Sequence, residues 1–320
     1  MVAQMPTRLL LDPWSADYSG SVQADPTEPP QADVQIDAFV ETRQWAAIPP
    51  GEPPDSAAFI DGVRRLEARV IGVRKEGMVH GLFGSFATGA TIVNPHTAQF
   101  AHCVPSRRLI LTSGLLRSEV FRIGNSELRF QGLSVPEGNP DALLLALQTA
   151  MREAEQTLAR ALPTPLVFLD GPIAFTTEAP GPIIGVVKTI HRLYLPPEQM
   201  EVALRLKTAE RTPVFAISEG RKTRYSWYLR IAEGRPTHHA FSGVIRLEAG
   251  AAGGIDVALS LANLSAAFLP RFASSANRDP RAPQNLTPVG ALEQHLRNQM
   301  GDATLIQRAI ERRVSEGLTL

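Results

Sequence analysis

The sequence predicts a mixed α/β domain, and three observations carry that prediction. Short apolar runs of strand length recur along the chain and are closed by Gly, Pro or Asp, as at residues 166–172 and 59–62. One stretch instead repeats its apolar residues at helical spacing: Leu143, Leu144, Leu147, Met151, Ala154 and Leu158. Two more helical stretches, residues 289–299 and 303–316, close the chain after a region of strands. Strands, a helix, further strands and terminal helices make a mixed α/β or α+β arrangement.

The elements follow in order. Residues 1–55 are polar and rich in proline, with one amphipathic segment around Phe39, and read as an arm with little structure of its own that could pack on the domain or on a second subunit. The folded domain then runs over residues 56–320. Residues 60–73 carry β-branched and apolar residues with interleaved charges, as in a strand continuing into a hairpin. Residues 81–90 alternate small and large side chains, which suits a strand in tight contact with a neighbour. Residues 108–112 and 128–133 read as further strands. Asn139-Pro140-Asp141 opens the long helix: a side-chain cap, a proline at the first position and an acid at the positive end of the dipole. Next come the apolar run ending at Asp170, a Gly171-Pro172 stop, and a second run ending at Lys188. A helix is expected over 196–206, and strands over 214–217, 226–231, 241–247 and 255–261. Gly301-Asp302 separates the last two helices, the glycine ending one and the aspartate capping the next.

Composition excludes some classes and leaves others open. With 320 residues the chain can form one large or two small domains around a substantial core. The single cysteine, Cys103, excludes an internal disulfide and any cysteine-rich zinc site, and points to a reducing cytoplasm. No unbroken run of eighteen apolar residues occurs, and the first residues lack the order of a secretory signal, so no membrane association is expected. The 32 acidic and 32 basic side chains cancel, so net charge neither favours nor excludes nucleic acid.

The candidate chemistry begins with Asp61 and Asp170. A carboxylate at the end of an apolar strand is costly to bury unless a positive group or a cation meets it. Two such strands side by side could hold a divalent cation that activates water and offsets phosphoryl charge; the plain alternative is a strand-ending turn. Glu155, three residues after Arg152 on what reads as the polar side of the long helix, is a third candidate ligand, with Glu153 as the solvent-facing alternative. Glu67 shares a strand face with Asp61 and could line the site or pair with Arg65 or Arg69. Lys188 could hold a phosphate, or simply reach the surface. Glu293 and His295 lie on the first C-terminal helix, where a late ligand is plausible. The pair His238-His239 has no zinc-like spacing. The interleaved cations and aromatics of residues 221–230, with Arg224, Tyr225, Trp227 and Arg230, suit single-stranded nucleic acid, although a charged edge strand has the same composition.

Taken in order, Phe59-Ile60-Asp61-Gly62-Val63-Arg64-Arg65, Arg152 with Glu155, Leu169-Asp170-Gly171-Pro172, Gly185-Val186-Val187-Lys188, Ser226-Trp227-Tyr228-Leu229-Arg230 and Asn285-Leu286-Thr287-Pro288 resemble the NurA family of DNA-repair nucleases. The resemblance covers roughly residues 57–316. It implies an RNase H-like mixed sheet flanked by helices and a manganese- or magnesium-dependent deoxyribonuclease, both exonuclease and endonuclease. It also implies a homodimer and a hexameric HerA-type ATPase partner, with a duty in DNA end processing or phage defence. Asp61 and Asp170 match the family's metal-binding aspartates. Glu155 matches the acid between them, in competition with Glu153 and Glu119, and His295 matches a late histidine. Lys188 would neutralise charge on the phosphate, and Arg64 falls in the first matching segment as a contact to nucleic acid. The alternative is a non-catalytic DNA-binding or adaptor subunit of the same ATPase. A haloacid-dehalogenase-type phosphatase would need a second aspartate where Pro172 stands.

Overall fold

The computed structural model describes residues 9–11, 34–74, 77–136, 139–173, 181–190, 192–220, 222–234, 240–275 and 282–318. Most of the proline-rich arm, Arg221 and the His238-His239 pair lie outside the described residues. The chain starts with two short strands, β1 (Leu9–Leu11) and β2 (Val34–Asp37). Three long ones follow: β3 (Ala57–Arg74), β4 (Gly77–Val93) and β5 (Ala98–Leu111). After β6 (Glu119–Ile123) and β7 (Ser126–Ser134) comes the first helix, α1 (Pro140–Ala161). Then come β8 (Val167–Asp170), β9 (Ile183–Val187), α2 (Pro197–Arg205), β10 (Phe215–Glu219), β11 (Lys222–Arg230) and β12 (Val244–Gly250). Three helices close the chain: α3 (Gly254–Phe268), α4 (Thr287–Gln299) and α5 (Ala303–Ser315).

All twelve strands belong to one mixed sheet in the order β2-β10-β11-β12-β9-β8-β3-β4-β5-β7-β6, with β1 also paired to β3. Strands β3, β4 and β5 form an antiparallel meander, while β8 runs parallel to β3 and β9 parallel to β8. A parallel pair needs a crossover, and α1 lies on the chain path between β3 and β8. This helix packs one face of the sheet through Leu143, Leu147 and Met151, against Leu82, Phe86 and Ile110. The other face is covered by α3 and α4, which bury Phe59, Phe168 and Val186 with Ala262 and Val289, and Val63 and Ala87 with Leu292 and Leu296. The small residues of β4 serve this double packing. A side chain at Gly84 would begin 2.6 Å from the Leu147 side chain, and one at Gly89 3.1 Å from Leu296.

The cap of α1 forms as expected: Asn139 Oδ1 accepts from the Asp141 amide at 3.0 Å. Two expectations are corrected. Residues 255–261 lie in α3, not in a strand. Ile255, Val257, Leu259 and Leu261 alternate over a window too short to separate the two periods, whereas the buried set Ala258, Leu261, Ala262, Ser265 and Ala266 repeats at helical spacing. Residues 34–55 are built into the fold rather than forming an arm. Strand β2 pairs β10, and the Glu41 carboxylate meets the buried Arg211 guanidinium at 2.9 Å. By length and composition alone, the helical segment Ala251–Phe272 could cross a membrane. In the fold it lays Ala258, Leu261, Ala262, Ala266 and Phe268 into the core of the sheet.

Candidate metal centre

The register of two parallel strands brings the aspartates together. In β3 and β8 the paired residues are Ala58 with Val167, Phe59 with Phe168 and Ile60 with Leu169. One step further along both strands come Asp61 and Asp170. Side chains alternate across a strand, so both carboxylates leave on the face that carries Phe59 and Phe168, whose rings stack at 5.1 Å. Asp170 is opposite Val186 in β9, and Lys188 follows two residues later with the same parity. Its Nζ lies 2.8 Å from Asp170 Oδ1 and donates to Asn285 Oδ1 at 3.0 Å.

A notch in the sheet leaves room for a ligand. β8 stops at Asp170, while β3 continues to Arg74. Between Ile60, the last residue paired with β8, and Val70, the first paired with β1, β3 has no strand neighbour on that side among the described residues. A cleft of about 560 Å³ opens there, with Asp61, Glu155, Asp170, Lys188 and Glu293 on its walls. Carboxylate oxygens of Asp61, Asp170 and Glu293 all lie within 4.8 Å of one another.

Glu155 enters from the opposite face. It belongs to the buried stripe Leu143, Leu147, Met151, Glu155, Ala159, one acid in a run of apolar residues at every fourth position. Its expected place on the polar side of the helix is therefore corrected. It reaches the cleft because Gly62 has no side chain: a Cβ there would sit 2.5 Å from Glu155 Oε1 and 2.9 Å from Met151 Cγ. Glu153 is exposed, and Glu119 pairs with Arg117 on β6.

The backbone after Asp170 is held by a buried carboxylate. Gly171 turns at φ +108°, and its amide donates to the Val186 carbonyl at 2.9 Å. The Ile173 amide then donates to Glu248 Oε2 at 3.1 Å. This crossing passes so close to β9 that a Cβ on Gly185 would begin 2.7 Å from the Ile173 nitrogen. Glu248 is itself fixed by Arg246 at 3.0 Å and Arg224 at 3.1 Å.

Five further assignments change. His295 stacks on Phe100 at 4.4 Å, outside the carboxylate group. Two residues separate it from Glu293, about 200° around a helix, so α4 delivers the acid and turns the histidine away. Trp227 is fully buried and donates Nε1 to Ser265 Oγ at 3.1 Å, leaving no ring face for a base. Arg230 is buried and donates to the carbonyls of Leu204 at 2.8 Å and Leu206, closing the end of α2. Arg224 is spent on Glu248 and Glu219, and Tyr225 packs against the core beside Trp227. The reason is common to the four residues of β11: the strand lies between β10 and β12, inside the sheet rather than at its edge. Glu67 sits at the β-bulge of β3 and pairs with Arg65 at 2.9 Å. Of the residues expected to touch nucleic acid, Arg64 is exposed, and its Nε donates to Gln148 on the cleft wall.

Charge in the cleft is unbalanced. Burial pushes the Asp61 carboxyl well above its ordinary range, and the nearby Asp170 and Glu155 raise it further against the pull of Lys188. Burial also raises Glu155 to about 8, with Arg152 opposing and Asp170 adding to the shift. Below pH ~4.3 both folded and unfolded chains hold the Glu155 proton. Between there and pH 8 the unfolded chain releases it while the folded chain keeps it, so stability falls as pH rises. A divalent cation that neutralises the cluster should reverse this. At one fixed Mn²⁺ concentration the stabilisation over EDTA, read as a rise in melting temperature, is expected to be larger at pH 8 than at pH 5.5; where that concentration is a hundredfold above Kd it is worth about 2.7 kcal/mol. An equal gain at both pH values would contradict it.

Fold and site together define a mixed-sheet domain with an acidic centre, able to hold a metal ion, at the ends of parallel strands. No protein-family model matches the chain, and no curated protein matches it. Among solved structures it is similar to the crystal structure of the NurA nuclease from Sulfolobus solfataricus, with a TM-score of 0.44 and 10% identity, over 85% of this chain and 86% of that chain.

Proposed function

We propose that this chain is a divalent-metal-dependent deoxyribonuclease. The observation that carries the proposal is the convergence of Asp61, Asp170 and Glu293 on one point of an open cleft, with Lys188 held against Asp170. Three carboxylates without thiol or imidazole are a hard donor set, suited to Mg²⁺ or Mn²⁺. Burial and the neighbouring acids raise the proton affinity of Asp61, a cost that a cation among these carboxylates would relieve. When bound, such a cation makes water a stronger acid and offsets phosphoryl charge.

The chain's own groups do the rest. Asp61, Asp170 and Glu293 hold the ion. Lys188, kept in place by Asn285, orients Asp170 and presents a cation to the phosphate. Glu155 keeps its proton up to about pH 8 and, once ionised, can accept one from the attacking water. The antiparallel meander of β3, β4 and β5, extended by parallel β8 and β9 with acids at the ends of β3's paired segment and of β8, supports the RNase H-like reading. DNA as substrate, a homodimer and a HerA-type ATPase partner rest on the ordered sequence motifs. The test is hydrolysis of end-labelled single- and double-stranded DNA with Mn²⁺, Mg²⁺ or EDTA, with and without the ATPase. Cleavage that needs a divalent cation is expected; binding without cleavage under every condition would overturn the enzyme reading.

A further inference from the structure

The carboxylates Asp61, Asp170 and Glu293 occupy the α4 side of the notch, and a different set of groups occupies the α1 side. Gln148, Arg152 and Glu155 are spaced four and three residues apart on α1, so all three share the helix face that borders the cleft. Beneath them Arg64 projects from β3 on the same side of the sheet as Gly62, about 10 Å along the strand from Asp61. Its Nε donates to Gln148 Oε1, and the guanidinium is exposed. The Arg152 guanidinium packs under the turn that follows Asp170, its Nη1 3.5 Å from where a side chain at Gly171 would begin. Two guanidiniums are thus gathered at one rim of the cleft, Arg64 on Gln148 and Arg152 one turn further along α1; partial burial, and after it the charge of Arg152, lowers the proton affinity of Arg64. Guanidinium forks match phosphate oxygens in geometry as well as in charge.

We propose that Arg64, Gln148 and Arg152 form a second phosphate seat, which takes the phosphodiester next to the one at the carboxylates on the same strand. A bound strand would then cross the notch, from Lys188 on the α4 side to the arginines on the α1 side. This rests on the nuclease reading and adds to it the path of the substrate and the groups that fix its register.

The test uses the full chain with a fluorescent single-stranded oligonucleotide, its binding followed by anisotropy in EDTA over a range of salt concentrations. Arg64→Gln and Arg152→Gln are each expected to weaken binding about tenfold and to flatten the salt dependence by about 0.7 in log–log slope. Arg122→Gln, an exposed arginine on β6 paired with Glu127, should leave both unchanged. Manganese affinity by calorimetry should match wild type in all three variants. Wild-type binding and slope in both Arg64→Gln and Arg152→Gln would overturn the second seat. Loss of manganese binding in Arg152→Gln would do so for that residue, by showing that it acts through Glu155. Failure of the nuclease reading looks different, since the wild-type chain would then neither bind manganese nor cleave DNA.

Discussion

An Asp61→Asn protein is expected to melt at a higher temperature than wild type in EDTA, to gain nothing from Mn²⁺, and to lose DNA cleavage. The two halves of this result have one cause. Asp61 is buried beside Asp170 and Glu155, and its ionised form is disfavoured by all three circumstances. An amide of the same shape removes the repulsion, and each kcal/mol recovered is worth about 2–4 °C in a domain of this size. Under the proposed function the same change would remove a metal ligand, and a loss on the order of 10³ in rate corresponds to about 4 kcal/mol. Stability gained where activity is lost marks a site under functional strain. Melting curves and a cleavage assay on one preparation check both halves; a destabilised Asp61→Asn protein would show that the carboxylate is structural.

Trp227→Ala is expected to cost about 3–5 kcal/mol of stability, the price of emptying a large buried site. Trp227 is wholly inaccessible, lies among Phe168, Leu229, Leu247 and Ala262, and would leave Ser265 without its donor. Against a typical total of about 5–15 kcal/mol, the variant should unfold in far less urea than wild type. DNA affinity per folded molecule should not change. A stacking platform behaves in the opposite way, losing about 1–3 kcal/mol of binding with melting intact. Urea titration and anisotropy on the same variant separate the two.

These two residues mark where the sequence was informative about this protein and where it was not. Asp61, Asp170 and Lys188 are legible because each ends an apolar run, and a charge in that position is unusual enough to need a reason. Trp227 is not, because the alternation of cations and aromatics in β11 is equally that of an edge strand and of an inner one. Only the pairing with β10 and β12, contributed by distant residues, decides between them. Glu155 carried a readable signal that its neighbourhood of charges obscured: it takes the fourth place in a run of buried positions four residues apart. The late ligand turned on two residues of α4. Val289, Leu292 and Leu296 set the buried side of that helix, which places Glu293 next to it and His295 beyond it. Gly62 could not have been recognised in advance, since its role depends on a side chain of α1 packed beneath it.

The central claim is that Asp61, Asp170 and Glu293 share one divalent cation. The most direct measurement is anomalous diffraction from crystals of the full chain grown with Mn²⁺. A single strong peak is expected about 2.0–2.3 Å from oxygens of Asp61 and Asp170, with Glu293 bound directly or through water. Ordered carboxylates with no peak between them at millimolar Mn²⁺, or a peak elsewhere on the molecule, would contradict it.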